Sequence, residues 1–349
     1  MKLVLAALPL VLFSLLAAVW SGWSRAGFEL PLSAAAGQHG NLMVNCFLAS
    51  LIMLERAVIF RQWWVRLLPL LNAAALVLFI AALPRAAGYL LLAGSVGFAA
   101  LCAWLLQRHR ELHYFVFLVG ATALVTANVV VLQTGSYPAA AGWWFAFLLL
   151  TIVAERLELS KFLPRTDLQR WLLLICLGFI PAALLLPAPA GTALFSGALV
   201  AIGAWLLRFD MARRSVRLPG AHRYSALLLL TGFCWLPLSA LFLVLQARLP
   251  FGYDAALHSF FIGFVFAMIF SHAPVILPAV LKKRLQIYHP VLYVWFLVLQ
   301  LSLLVRIGAD VTGSTHARQW ASVVNGIVIT GFIATVGIRT GQQLGSGKA

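Results

Sequence analysis

The sequence predicts an all-α integral membrane protein, a polytopic helical bundle with about twelve transmembrane helices and both termini in the cytoplasm. Of its 349 residues, 63% are apolar and only 10% are charged, whereas a water-soluble domain is about a quarter charged. The mean hydropathy is +0.99. The apolar residues fall into blocks of roughly 20, the length that a helix needs to cross the hydrocarbon core. A soluble enzyme is therefore excluded.

Twelve such blocks follow one another, each ending at a charge or at a Pro or Gly break. They run over 2–23, 40–60, 64–83, 86–107, 113–133, 138–159, 170–187, 191–208, 224–247, 254–281, 289–307 and 319–340. No signal-peptide cleavage pattern follows the first block, so we expect a retained first span. The connections are too short to fold alone, including the outer ones at 24–39 and 308–318. The sequence predicts a single transmembrane domain over residues 1–349.

The net charge of +16 carries information about topology. With the amino terminus in the cytoplasm, 20 of the 25 Lys and Arg residues lie in inner segments, as the positive-inside rule requires. The basic residues stand singly between apolar blocks and form no cluster of the kind that binds nucleic acid. The sequence therefore predicts membrane lipid as the surroundings of the protein and no nucleic-acid partner.

Two histidines lie where apolar spans begin, and ionisable side chains inside spans mark candidate functional sites. His39 begins the second span, and His258 lies in the second turn of the tenth. Even-numbered spans run inward, so both imidazoles lie near the outer surface at similar depth. Axial ligation of a haem across a helix bundle requires such a pair. The alternative is a pair of interfacial histidines that form hydrogen bonds or cap helix starts.

A third histidine lies deeper in the tenth span. His272 follows His258 by 14 residues, which places it on nearly the same helix face and about 21 Å further along. Gly263 lies between them and allows a neighbouring helix to approach closely. Pro274 removes the amide donor that the Phe270 carbonyl would use. Irregular backbone at this depth must be covered by protein or water, so the sequence predicts a polar inner pocket with His272 as a candidate metal ligand.

Other ionisable residues at the inner ends of spans are candidates for the same inner polar site. They are His113 at the start of the fifth span, Glu155 near the end of the sixth and His289 at the start of the eleventh. For the glutamates, salt bridges between neighbouring residues are the alternative. The pairs are Glu55 with Arg56, Glu155 with Arg156, and Glu158 with Lys161.

Arginines stand at the outer rim, on the side where His39 and His258 are expected. Arg306 lies four residues before Asp310 at the end of the eleventh span, and Arg318 precedes the twelfth. A guanidinium group binds carboxylates in bidentate fashion, so Arg306 and Arg318 are candidates to hold the propionates of a haem. The alternative is that they anchor helix ends at the membrane interface.

Several stretches of the sequence resemble those of known haem proteins. The arrangement of twelve spans with outer histidines on the second and the tenth is similar to subunit I of the haem-copper oxidases. The stretch 257–270 resembles a helix of small haem-copper-like proteins. A bacterial branch of the NnrS family, whose members are haem-containing membrane proteins associated with nitric-oxide metabolism, is similar in four blocks. These are 39–43, 54–58, 150–159 and 272–280.

The resemblance implies a protein of a bacterial inner membrane that binds haem b, with His39 and His258 as axial ligands. It implies nitric-oxide or nitrosative-stress metabolism, by ligand binding or by redox chemistry, and hence a gas ligand or a redox partner. An inner site at His272 would serve a second haem, a metal such as copper, or a proton path. Haem-copper oxidases need a histidine cluster on the sixth and seventh spans, which hold no histidine here. Proton-pumping reduction of oxygen is therefore not expected.

Two further functions stay open at this point. A proton-coupled secondary transporter of a small solute would explain the even number of spans and the inner acidic residues. Many transporters contain two repeated halves, and no six-plus-six repeat of motifs is visible in this sequence. An accessory or assembly subunit of a respiratory complex is the other alternative.

Overall fold

The computed structural model describes residues 2–31, 33–60, 62–161 and 166–345. Within these ranges the chain is helical with no strand, and twelve helices are long and apolar enough to cross a membrane. This confirms the predicted all-α, multi-pass fold. In chain order the helices are α1 (Lys2–Arg25), α2 (Ala36–Ile59), α3 (Trp63–Ile80), α4 (Pro84–His109), α5 (Leu112–Thr134), α6 (Tyr137–Leu159), α7 (Asp167–Leu184), α8 (Ala190–Phe209), α9 (Ala221–Leu245), α10 (Gly252–Leu281), α11 (Val291–Thr312) and α12 (Thr315–Gly345).

The helices form two compact units of six, Met1–Leu159 and Ser160–Ala349. In the first unit, α1 packs on α2 and α3, and α3, α4, α5 and α6 pack in sequence. In the second unit, α7 to α12 pack each on the next. Each unit holds an even number of spans, so within each unit the chain enters and leaves on the same side of the membrane.

Exposed apolar side chains show which helix faces meet lipid. Along α11, Val294, Leu297, Leu301 and Leu304 are each more than half exposed, and their spacing of three or four residues places them on one helix face. The opposite side of the same helix buries Leu299 and other residues. Exposure of a continuous apolar stripe of this kind to water is unfavourable. Such a stripe is expected where a helix faces the hydrocarbon of a membrane.

Two helices depart from regular α geometry. In α2 a π-helical stretch spans Leu42–Ala49, and in α10 another spans Ser259–Phe266. These are the two π-helical stretches in the described part of the chain. A π-helix is rare and is frequently found at functional sites. Both stretches begin within three residues of a histidine, His39 or His258.

Close helix approach in the second unit depends on Gly263, as the sequence predicts. A Cβ atom placed on Gly263 would lie 2.9 Å from the Cβ of Trp235 on α9. Real Cβ atoms do not approach other carbon atoms so closely, so a side chain at this position would force α9 and α10 apart.

The prediction of an outer connection over residues 308–318 is wrong. Helix α11 continues to Thr312 and α12 begins at Thr315, so that Gly313 and Ser314 alone join them. Gly313 has a φ of +78°, a left-handed conformation that glycine adopts without strain. The polar residues that suggested a loop include Asp310, which is fully buried and paired with arginine inside the helix bundle.

Candidate functional site

The imidazole of His39 is held by the neighbouring helix α1. Its Nδ1 lies 2.8 Å from the main-chain oxygen of Ala18 and 3.4 Å from the Oγ of Ser21. A carbonyl oxygen accepts hydrogen bonds and cannot donate, so Nδ1 must carry the proton. The lone pair of the neutral ring is then on Nε2. His39 therefore has the tautomer of a metal-ligating histidine whose other nitrogen donates to a carbonyl.

Gly22 makes this contact possible. A Cβ atom on Gly22 would lie 2.9 Å from Cε1 of His39 and 3.1 Å from its Nδ1. The imidazole thus lies directly against the backbone of α1, and any larger residue at position 22 would displace it. Ala18 and Gly22 are four residues apart, the small-xxx-small spacing of closely packed membrane helices. This pattern in the sequence points to the close approach of α1, although not to the histidine that uses it.

His258 has the same tautomer, although its carbonyl partner lies in its own helix. Its Nδ1 lies 2.8 Å from the main-chain oxygen of Asp254, one turn earlier in α10. The carbonyl again requires the proton on Nδ1 and leaves the lone pair on Nε2. Both histidines are half-buried. The two residues that the sequence selects as haem ligands thus share one protonation geometry, although they lie in different units.

The outer arginines form a charge network in the second unit. The guanidinium of Arg318 contacts the carboxylate of Asp254, and its Nε lies 3.0 Å from Oδ1 of Asp310. The Nε of Arg306 lies 3.9 Å from Oδ2 of Asp310. Two arginines and two aspartates balance in charge. Because Asp254 is one turn before His258, the network links Arg318 to the helical turn that orients this histidine.

Burial separates the two arginines from simple interfacial anchors. The side chain of Arg306 is 8% exposed and that of Asp310 is fully buried, and Arg306 also donates to the hydroxyl of Ser322. Arg318 is more open, at 18%, and its guanidinium lies over the ring of Phe251, 4.4 Å from the centroid. Of the two, Arg318 is the better placed to exchange a carboxylate partner.

The inner half of α10 confirms the expected loss of a helical donor. The carbonyl oxygen of Phe270, four residues before Pro274, accepts a hydrogen bond from the buried hydroxyl of Tyr224 on α9, at 3.1 Å. Beside it, the hydroxyls of Ser225 and Ser271 are 3.0 Å apart. Polar side chains of α9 therefore cover the irregular backbone next to His272, which is itself half-buried.

His289 lies at the start of α11 and is exposed. Its Nδ1 accepts a hydrogen bond from the amide of Val291 at 3.2 Å. This contact satisfies one of the amide groups that a helix start leaves without a helical partner. His289 and His272 belong to the second unit, and the other two inner candidates belong to the first.

In the first unit, Glu155 takes part in a salt bridge between helices. Arg56 of α2 reaches Oε1 of Glu155 at 3.5 Å and Oε2 of Glu158 at 2.8 Å. The guanidinium also lies over the ring of Phe117, 4.3 Å from the centroid. The salt bridges suggested by the sequence join neighbouring residues, whereas these salt bridges join α2 to α6. The network is buried, since the Arg56 side chain is 11% exposed.

His113 at the start of α5 is paired locally. Its Nδ1 lies 3.3 Å from Oε2 of Glu111, and its ring is 4.1 Å from that of Tyr114. Within the described ranges, no group of three or more His, Cys, Asp or Glu side chains is arranged to hold a metal ion. The prediction of a copper site stays a prediction.

Comparison with known proteins gives one match. The model of a family described as Domain of unknown function (DUF8744) matches residues 3–340. The chain belongs to this family. No curated protein and no solved structure matches the chain. The similarity to the NnrS family stays a prediction from the sequence.

Three buried asparagines of this DUF8744 protein were not predicted from the sequence as candidate site residues. Asn41, Asn45 and Asn72 are buried in α2 and α3 and are connected by hydrogen bonds. Ionisable side chains are the most expensive in hydrocarbon and therefore stand out in a sequence of apolar spans. Three asparagines inside apolar spans were a signal of the same kind, because a buried amide also needs partners.

Proposed function

We propose that the protein binds haem b in a bacterial inner membrane and is of the NnrS or haem-copper-like type. The observation that carries the proposal is the shared tautomer of His39 and His258. Each Nδ1 lies 2.8 Å from a main-chain oxygen, so each lone pair is on Nε2, a nitrogen through which histidine binds haem iron. The donor set therefore fits haem. The resemblance to nitric-oxide-associated proteins adds the physiological setting.

Protein residues would have two tasks in holding haem at these histidines. The carbonyls of Ala18 and Asp254 orient the two imidazoles and fix their tautomers. Arg306 and Arg318 would hold the propionates in place of, or together with, their present aspartate partners. When bound, haem b would supply an iron that transfers one electron, and a diatomic gas would bind that iron only by replacing one of the two imidazoles.

An absorption spectrum of protein expressed with added haem tests the proposal. We expect a Soret band in the wild type and in His222→Ala, a control that removes an exposed histidine. The band should be lost or shifted in His39→Ala and in His258→Ala. A wild-type protein that lacks a Soret band after haem supplementation would contradict the proposal, and so would full retention of an unshifted band in both ligand variants.

The division into two six-helix units favours a second candidate function, that of a proton-coupled secondary transporter. Transporters are often built from two halves of equal span number, and each unit here holds six spans. A colourless protein that drives pH-dependent solute uptake in proteoliposomes would support this candidate over haem binding. The Arg56 network, with its excess of glutamates, would then be the first place to look for the coupled proton.

A further inference from the structure

A cluster of arginines lies at the connection between α8 and α9, at the end of the second unit that the sequence predicts to be inner. The stretch 208–223 contains five arginines, and all five side chains are exposed. They are Arg208, Arg213, Arg214, Arg217 and Arg223. At the opposite end of the unit, by contrast, Arg306 and Arg318 are paired with aspartates.

The one acidic residue of this stretch serves the local fold. Asp210 is buried, and its Oδ1 accepts a hydrogen bond from the amide of Ala212 at 2.7 Å. This contact holds the start of a short helix, Ala212–Ser215. In the described part of the chain, Arg213, Arg214 and Arg217 form no salt bridge. Their charge is therefore available to an anion from outside the protein.

The backbone brings these three arginines together. The amide of Val216 donates to the carbonyl of Ala212 at 3.0 Å, and the amide of Arg217 donates to the carbonyl of Arg214 at 3.2 Å. The chain therefore stays helical beyond Ser215. Residues three and four apart in a helix are neighbours, with about 5–6 Å between their Cβ atoms. Arg217 is thus a neighbour of both Arg213 and Arg214, and the three long side chains can reach one anion.

The depth of the cluster matches that of lipid phosphates. Helix α8 spans Ala190–Phe209, a length of about 30 Å, which equals the thickness of the hydrocarbon core. Its end therefore lies at the boundary with the headgroups. The guanidinium of Arg208 lies over the ring of Phe209, 5.2 Å from the centroid. Leu218, directly after Arg217, is 48% exposed and places an apolar side chain beside the charges.

We propose that Arg213, Arg214 and Arg217 bind the phosphate headgroup of an anionic phospholipid. A guanidinium group binds phosphate oxygens in bidentate fashion, and basic clusters next to a span attract anionic lipids. The proposal is independent of haem binding, because none of these residues is a candidate haem ligand.

The positive-inside rule does not by itself account for this cluster. The rule requires positive charge in the inner connections, and it does not require three guanidinium groups on one helical turn. The connection after α10 shows the contrast. Residues 282–284 are also three exposed basic residues, but they are consecutive and lie beyond the end of α10. Helical geometry therefore does not bring their side chains together.

Lipid binding by the purified full-length protein tests the site. The protein in detergent is titrated with phosphatidylglycerol or phosphatidylcholine, and bound lipid is counted by native mass spectrometry. We expect saturable binding of phosphatidylglycerol, and weaker binding of phosphatidylcholine, in the wild type. The triple variant Arg213→Gln/Arg214→Gln/Arg217→Gln should bind phosphatidylglycerol about 100-fold more weakly, since each basic side chain near an anionic surface raises affinity about fivefold.

A second triple variant is the matched control. Lys282→Gln/Lys283→Gln/Arg284→Gln removes the same charge from the next inner connection and should keep the wild-type affinity. Equal losses in the two triple variants would indicate attraction by net charge and overturn the proposal. Equal binding of the two lipids by the wild type would also overturn it.

Two further measurements complete the test. Inorganic phosphate is added as a competitor at the concentration of the lipid. If it displaces phosphatidylglycerol as effectively as unlabelled phosphatidylglycerol does, the site belongs to a soluble anion and the proposal is overturned. Should the arginine triple variant fail to fold, Arg213→Gln and Arg217→Gln are measured singly. Each should weaken binding about fivefold, and unchanged affinity in both would overturn the proposal.

Discussion

The Tyr224 hydroxyl and Pro274 should be energetically coupled through the Phe270 carbonyl. Pro274 has no amide proton, so this carbonyl lacks its helical donor, and Tyr224 replaces that donor at 3.1 Å. Tyr224→Phe removes the hydroxyl and keeps the ring, which lies 5.0 Å from that of Tyr293. Interhelical hydrogen bonds in membranes contribute about 0.6 kcal/mol on average and about 1.7 kcal/mol at most. We expect Tyr224→Phe to lower the unfolding free energy by an amount within this range.

The double variant tests the reason for the loss. In Pro274→Ala, residue 274 regains an amide that can donate to Phe270, so adding Tyr224→Phe should then lower stability by less. A double-mutant cycle measures the difference, with unfolding by SDS in mixed micelles followed by circular dichroism. Tyr89→Phe, which changes a side chain that is 66% exposed, is the control and should have no effect. Equal losses from Tyr224→Phe in both backgrounds would refute the reasoning.

Three further predictions use the same preparations. Arg56→Leu leaves Glu155 buried without its guanidinium, and the unfolding free energy should fall by about 3–5 kcal/mol; a change below about 1 kcal/mol would show that the network contributes little. Gly22→Ala should weaken haem retention and shift the Soret band by displacing the imidazole on α1, whereas Gly178→Ala, with open space around its Cβ position, should do neither. Gly94→Ala should lower Tm more than Gly178→Ala, because the new methyl overlaps a buried amide; equal Tm values would contradict the packing.

The number and order of the spans could be predicted because hydropathy and helix length suffice for both. The freed carbonyl of Phe270 could also be predicted, since a proline acts on a fixed position in its own helix. Its donor could not, because Tyr224 is 46 residues away in sequence and no local rule connects the two. For the same reason, sequence selected His39 but not the Ala18 carbonyl that determines its tautomer.

The π-helical stretches were beyond prediction for a different reason. Apart from Asn45 and Ser259, the stretches Leu42–Ala49 and Ser259–Phe266 contain ordinary apolar residues, with Gly263 in the second as their single glycine. A change from i+4 to i+5 hydrogen bonding depends on what the surrounding helices require of the side chains. In α2 it accompanies Asn45, whose partners come from α2 itself and from α3. Tertiary contacts therefore determine this feature.

The positions of the two π-helical stretches test whether both descend from one duplicated helix. Because each unit has six spans, a duplicated ancestor would give two halves of the same orientation, in which α2 corresponds to α8 and α4 to α10. Both α4 and α8 are regular α-helices, so the π stretches of α2 and α10 are not at equivalent positions. Internal repetition therefore does not account for two helices that each combine an outer histidine, a carbonyl-bound Nδ1 and an adjacent π stretch. A shared chemical requirement on His39 and His258 would account for all three features, and the proposed axial ligation of haem is such a requirement.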